Sequence, residues 1–233
     1  MKDLFGKAIL DFQTNNNPAD LITETSISEA DEMSVAYLFR SYAEMPKIEQ
    51  KALQLATGKV LDVGCGAGSH SLYLQNEKGL EVTSIDISAK AIEACRLRGL
   101  QNAHVRDVMQ MEGETFDTIM LLMNGTGIFG QLKSAPRFLQ KLSSLLAEHG
   151  QILIDSSDIV YMFDEEDDTD IRNNDYYGEV EFVISYKGEQ EEPFDWLYLD
   201  FETLRKAAND NGLQCERVHE GQHFDYLAKM TRL

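Results

Sequence analysis

The chain has 233 residues, 43% of them apolar, and carries 40 acidic against 21 basic side chains for a formal charge of −19. That length and apolar share suit one α/β domain with additions. Nucleic acid and anionic membranes are held through Lys and Arg, so an acidic chain with no basic cluster argues against both and mildly favours a neutral or cationic small partner. No run of about 18 apolar residues is present to span a membrane, and Met1 to Gly6 lacks the apolar core of a secretion signal. Cys65, Cys95 and Cys215 are odd in number and far apart. This is the usage of reduced thiols in a cytoplasmic protein, with neither a disulfide framework nor metal-ligand spacing.

The first residues, with Leu4, Phe5, Ala8, Ile9 and Phe12 at helical spacing, predict a helix over 1–12 that Asn15-Asn16-Asn17-Pro18 breaks. A second helix is expected from Ser28 through Val35, Leu38 and Phe39, and a third with Pro46 in its first turn, carrying Ile48, Leu53 and Leu55. Residues 1–57 thus read as a helical cap, in which Tyr37, Arg40 and Tyr42 either pack on a sheet or touch a ligand. Regular alternation then begins: strand 59–63, helix 68–77, strand 81–86, a helix capped by Ser88 and closed by Gly99, a short strand 103–105, and an apolar strand 116–123. A helix over 134–148 closed by Gly150 and a strand over 151–155 complete it. Five strands alternating with helices imply a doubly wound, Rossmann-like parallel sheet. Beyond it, 179–186 and 194–199 predict an inserted hairpin turning near Gly188, 201–211 a helix, and 213–219 with 224–230 a terminal antiparallel hairpin. With no linker or repeat, the expectation is one domain: cap 1–57, core 58–156, inserted loop and hairpin 157–200, terminal helix and hairpin 201–233.

The stretch that organises the chain is Val60-Leu61-Asp62-Val63-Gly64-Cys65-Gly66-Ala67-Gly68. It reads as strand, tight turn, helix. Glycines permit the sharp turn and the close approach of a ligand, which then faces the amides of the following helix. Dinucleotide enzymes use G-x-G-x-x-G/A. Here the spacing is G-x-G-x-G and Ser69 takes the place of the last glycine.

That spacing, with Asp62 before it, resembles motif I of class I S-adenosylmethionine-dependent methyltransferases. The resemblance is close over about residues 59–155, and the terminal hairpin agrees in pattern, giving a mostly parallel seven-stranded sheet. It implies S-adenosylmethionine as cofactor, with S-adenosylhomocysteine as product. Gly64, Cys65 (through its backbone), Gly66 and Gly68 would form the loop under the methionine portion, and Asp62 would lie near its ammonium group. Asp86 would accept from both ribose hydroxyls, with Ile87 packing on adenine. Asp107 and the Val108 backbone would meet the adenine edge. Met123 and Asn124 would lie under the methyl donor. Taken singly, each aspartate also reads as a carboxylate at a helix N-terminus; together, at the ends of three successive strands, they favour the cofactor reading.

Methyl transfer needs no obligatory catalytic side chain, so none is assigned. Relatives that methylate exocyclic amines of bases usually carry a Pro-Pro-aromatic run after the fourth strand, where this chain has Asn124-Gly125-Thr126-Gly127. A small-molecule acceptor is therefore expected, with no nucleic-acid or membrane partner. Tyr42, Tyr177 and Trp196 are candidates to line its pocket, and packing is the competing role for each, as it is for Tyr176. His219 and His223, with Asp225 and Tyr226, flank the last turn as a base, a metal site or plain surface residues; no metal is expected. The acidic run Asp164 to Asp170 lacks the glycine and final glutamate of a calcium loop and reads as solvated loop. The alternatives are an NAD-dependent oxidoreductase and a non-catalytic S-adenosylmethionine-binding protein. The glycine spacing and terminal hairpin oppose the first.

Overall fold

The computed structural model describes residues 2–163 and 176–233. The chain opens with α1 (Leu4–Thr14), which buries Leu4, Ala8 and Ile9 on one face. Two strands follow, β1 (Leu21–Thr25) and β2 (Ser28–Met33), then a 3₁₀ turn over Val35–Phe39 and α2 (Lys47–Leu55), for which Pro46 is the N-cap residue. The alternating part comprises β3 (Lys59–Val63), α3 (Ser69–Asn76), β4 (Glu81–Asp86), α4 (Ala89–Leu97), β5 (Ala103–Val105), β6 (Phe116–Leu121), α5 (Ala135–Ser144) and β7 (Leu146–Ser157). Then come β8 (Glu179–Tyr186), β9 (Glu189–Gln190), β10 (Phe194–Leu197), α6 (Phe201–Asp210), β11 (Leu213–Glu220) and β12 (Asp225–Arg232).

The main sheet has seven strands in the order β11-β12-β7-β6-β3-β4-β5. β3 pairs in parallel with β4 and β6, while β12 runs antiparallel between β7 and β11. Chain order reverses at the β3–β6 pair, so the crevice for a ligand opens beyond the carboxyl ends of those two strands. Both faces are covered, which is why β3 and β6 are mainly apolar: Val60, Leu61, Phe116, Ile119, Met120 and Leu121 are all completely buried. Ser88 caps α4 by accepting the Ala91 N–H at 3.0 Å, as its place before an apolar helix demands.

Three expectations are corrected. Residues 28–39 are not a helix. β1 and β2 form a hairpin, and β1 also pairs with β8, Ile22 opposite Ser185 and Thr25 opposite Phe182. The cap and the insertion after β7 are therefore joined in one antiparallel accessory sheet, β10-β8-β1-β2, with β9 attached to β8. Val35, Leu38 and Phe39 keep a helix-like spacing because they form the 3₁₀ turn. Second, the helix expected to run to Glu148 ends at Ser144, and β7 starts at Leu146. Gly150 lies in an irregularity of the β6–β7 pairing, not at a helix stop: a Cβ there would fall 2.8 Å from the Phe116 carbonyl oxygen. Third, β6 ends at Leu121, and Met123 belongs to the loop that follows. The acidic run 164–170 lies outside the described residues.

Candidate functional site

The loop after β3 is held by its own backbone. The N–H groups of Gly64 and Cys65 both donate to the Ile85 carbonyl, at 2.9 and 3.0 Å. Gly64, Gly66 and Gly68 have φ of 71°, 52° and 81°, a region open to glycine at little cost. A Cβ on Gly64 or Gly66 would meet nothing within 4 Å, whereas one on Gly68 would lie 2.6 Å from Leu100 Cδ1 and 2.9 Å from Cys95 Sγ. The first two glycines border open space and the third borders the core. Cys65 is buried, 3.9 Å from the Cys95 sulfur, and that neighbour together with burial pushes its thiol well up. Its backbone is what the loop presents.

Asp86 closes the loop on the other side. Its Oδ2 accepts the Gly66 N–H at 3.0 Å and its Oδ1 the Ser88 N–H at 2.8 Å. Burial raises its carboxyl above the usual range against the pull of those two bonds. Ile87 beside it stands 63% exposed, an unusual placement for isoleucine. Asp107 caps the short turn that follows β5, accepting the Met109 N–H at 2.8 Å, and Val108 is buried.

Beneath the loop lies a buried polar layer. Asp62 accepts from Ser71 Oγ at 2.6 Å, and Ser84 Oγ donates to that same hydroxyl at 2.7 Å. Burial raises the Asp62 carboxyl, and the nearby His70 and Ser71 only partly offset this. Ser69 Oγ donates to the Leu38 carbonyl at 2.7 Å, which ties the 35–39 turn to the start of α3. That tie brings Arg40 in. Its guanidinium pairs with buried Glu49 and lies 3.9 Å from the Tyr37 ring centroid. Glu49 also holds His70 Nε2 at 2.5 Å. Burial works to raise the Glu49 carboxyl, but the bonds and charges of His70 and Arg40 together leave it lowered. Arg40 Nε is the one buried side-chain nitrogen or oxygen without a hydrogen-bond partner among the described residues.

The loop after β6 makes the opposite wall. Met123 and Asn124 have φ of 67° and 59°. Asn124 Nδ2 donates to the Leu197 carbonyl at 3.3 Å, linking the loop to the accessory sheet. Trp196 of β10 lies directly against Gly127, where a Cβ would come within 2.0 Å of the indole.

The other predicted residues fall in different places. Tyr42 is committed to packing, its ring stacked on Tyr73 at 4.1 Å and its hydroxyl accepting from Gln54 at 3.0 Å. Tyr177 donates to Asp158 Oδ1 at 2.7 Å, just past the end of β7, and Tyr176 bonds Asp200. The 219–225 turn is an exposed hairpin end, where His223 N–H donates to Asp225, and Tyr226 donates to the Leu199 carbonyl. Among the described residues no group of three or more His, Cys, Asp or Glu is arranged to hold a metal. No described helix is long and apolar enough to cross a membrane. Sequence reasoning passed over Glu49, His70 and Asp155. Each had a signal: Glu49 shares a helical stripe with Ala52 and Leu53, His70 follows the last glycine by two, and Asp155 comes directly after the apolar run Ile152-Leu153-Ile154, as Asp62 follows Val60-Leu61.

Comparison with known proteins agrees with this geometry. Residues 55–211 match the family model described as a methyltransferase domain. The fold superposes on an S-adenosylmethionine-dependent methyltransferase from Bacteroides fragilis, solved in complex with S-adenosyl-L-homocysteine. That pair has a TM-score of 0.91 and 46% identity, over 99% of this chain and 95% of the other. Among curated proteins, a probable (S)-tetrahydroprotoberberine N-methyltransferase of Papaver bracteatum is 33% identical over 106 residues, 42% of this chain and 28% of its own. Ribosomal RNA small subunit methyltransferase C of Shewanella amazonensis is 34% identical over 101 residues, 43% of this chain and 25% of its own. These matches span only about a quarter of the curated relatives' length. The chain belongs to the class I S-adenosylmethionine-dependent methyltransferases. The residues present fit the family's cofactor. Open space faces Gly64 and Gly66, and a carboxylate is pinned at Asp86.

Proposed function

We propose that this methyltransferase transfers the methyl group of S-adenosylmethionine to a small-molecule acceptor, in the cytoplasm. The observation that carries the small-acceptor reading is the cover over the β6 loop. Trp196 packs on Gly127, and Asn124 and Thr126 both bond the Leu197 carbonyl, so the accessory sheet stands against the wall where an acceptor must arrive. A charge of −19 and the sequence Asn124-Gly125-Thr126-Gly127 support the same reading against ribosomal RNA.

On this reading Gly64, Cys65, Gly66 and Gly68 carry the methionine portion, with Asp62 near its ammonium group. Asp86 accepts from the ribose hydroxyls, Ile87 covers adenine, and Asp107 and Val108 meet its edge. Met123 and Asn124 lie beneath the donor, and Trp196 and Tyr177 line the acceptor side. Tyr42 is set aside, because its ring and hydroxyl are spent on α2 and α3. The bound cofactor supplies an electrophilic methyl group. The protein's part is to hold an acceptor in line and exclude water, which in favourable intramolecular systems contributes about 7–11 kcal/mol.

The test is to incubate the protein and methyl-labelled S-adenosylmethionine with a cell extract, then separate metabolites, protein and ribosomal RNA. Label in the metabolite fraction is expected. Label confined to RNA or protein would contradict the small-acceptor reading, and no transfer to any fraction would favour a non-catalytic binding protein.

A further inference from the structure

Met123 and Asn124 are consecutive non-glycine residues in the left-handed region, with φ of 67° and 59°. Such backbone persists only where its surroundings over-determine it, and it clusters at functional sites. Here the surroundings are the end of β7. Asp155 Oδ2 accepts the Met123 N–H at 3.0 Å and Oδ1 accepts the Gly125 N–H at 2.8 Å, so one carboxylate spans the strained turn. Ser156 Oγ lies 3.1 Å from Asn124 Oδ1 and fixes that side chain from the same strand end. Gly125 lets the turn close on the end of β6: a Cβ there would fall 2.6 Å from Leu121 Cβ and 3.2 Å from Ile154 Cγ1, while the Asp155 carboxylate stays at an ordinary contact distance of 3.6 Å.

We propose that Asp155 is a positioning residue for methyl transfer, whose ionised carboxylate clamps the Met123–Gly125 backbone into the form that floors the donor site. The proposal rests on the reading that Met123 and Asn124 lie beneath the methyl donor. A carboxylate can take both N–H groups at once. A protonated carboxyl has lost its charge and one oxygen's lone pair to the proton, so the N–H bonds are no longer charge-assisted and the one to the hydroxyl oxygen is the weaker. Burial pushes this carboxyl up to about 6, with the loop amides opposing and Glu49 adding. The groups facing it from neighbouring elements are Glu49 of α2, with its partners Arg40 and His70, and Tyr37, whose phenol partial burial shifts above its ordinary value of 10.0, so that it carries no charge in this range.

The test uses full-length protein with ¹³C-methyl methionine, the Met123 signal being assigned through Met123→Leu. S-adenosylhomocysteine is titrated by calorimetry between about pH 5 and about pH 8. In the wild type, the Met123 signal of the complex should shift with a midpoint near about 6, and affinity should fall about tenfold on the acid side, the worth of one hydrogen bond. Asp155→Asn should bind at the weak level at every pH. A flat profile in the folded wild type, wild-type affinity in Asp155→Asn, or a pH dependence that survives in it (and so belongs to His70 or Glu49) would each overturn the proposal. If Asp155→Asn does not fold, Glu49→Gln and His70→Asn are titrated in its place: the pH dependence should survive in each, and its loss in either would overturn the proposal. Absence of binding at every pH would overturn the cofactor placement together with the proposal, whereas binding with a flat profile overturns the proposal alone.

Discussion

Alanine placed at Gly66 and at Gly68, one at a time, should separate ligand contact from folding within a single loop. At Gly66 the added methyl meets no protein atom within 4 Å, so the fold bears only the left-handed backbone at φ 52°. That amounts to about 1–2 kcal/mol. At Gly68 the same backbone cost, at φ 81°, is joined by a methyl 2.6 Å from Leu100 Cδ1 and 2.9 Å from Cys95 Sγ. Overpacking of that kind adds about 1–3 kcal/mol. Gly68→Ala should therefore lose roughly 2–5 kcal/mol, and Gly66→Ala less than half of that. For a chain of this size each kcal/mol is worth roughly 2–4 °C in Tm. Binding should rank them the other way. The Gly66 methyl occupies the space a ligand must enter, and a lost contact plus displacement should weaken S-adenosylhomocysteine binding by about 10- to 100-fold, or about 1.4–2.8 kcal/mol. Thermal unfolding without ligand and calorimetry with it measure the two effects independently. Wild-type affinity in Gly66→Ala would refute the claim that this side of the loop faces the cofactor. An unchanged Tm in Gly68→Ala would refute the packing argument.

Other variants probe the rest of the site. Asp86→Ala should weaken S-adenosylhomocysteine by about 100-fold, since charge-assisted bonds contribute about 1.5–3 kcal/mol each; calorimetry that finds less than a few-fold loss would remove Asp86 as the ribose anchor. Arg40→Leu leaves the buried Glu49 carboxylate without its guanidinium and should destabilise by about 3–5 kcal/mol, read by urea unfolding, with a smaller loss pointing to rescue by His70. The pH dependence of stability has a definite sign at Asp155. Its folded value is raised from 3.8 to about 6, so its contribution to stability is complete below the lower value and is lost as pH rises through the higher one. The loss is about 3 kcal/mol. The stability of wild type relative to Asp155→Asn, from urea unfolding, should fall by that order between about pH 4 and about pH 7, and a constant difference would contradict the buried, ionised state. Burying that charge works against the fold, as expected of a group kept for what it holds in place.

The core of the fold was legible because its signals are local. Val60 to Asp62, Val82 to Asp86 and Ile152 to Asp155 are strand segments that each bring a carboxylate to or near the strand's carboxyl end, with glycine turns or a Ser88 cap after two of them. The accessory sheet was not legible. β1 and β2 are polar, and β1 is a strand because it pairs with β8, far along the chain and visible only in the tertiary structure. The first residues of β7, Leu146 to Gly150, read as a helix end because Ala147, Glu148 and His149 carry no strand alternation; pairing with β6 overrides that. Glu49 and His70 were missed for a related reason. A charged residue on a helix reads as solvated until its partner, here Arg40 from a different segment, is seen beside it. Tyr42 shows the converse: a tyrosine near a crevice in sequence order is spent on stacking once Tyr73 is in place.

The most direct test of the whole account is a calorimetric titration of the purified protein with S-adenosylhomocysteine, with NAD run alongside. The account predicts one site of about micromolar affinity for S-adenosylhomocysteine, weakened about 100-fold in Asp86→Ala, and no heat with NAD. Binding of NAD alone, or S-adenosylhomocysteine affinity indifferent to Asp86 and to Gly66→Ala, would contradict it.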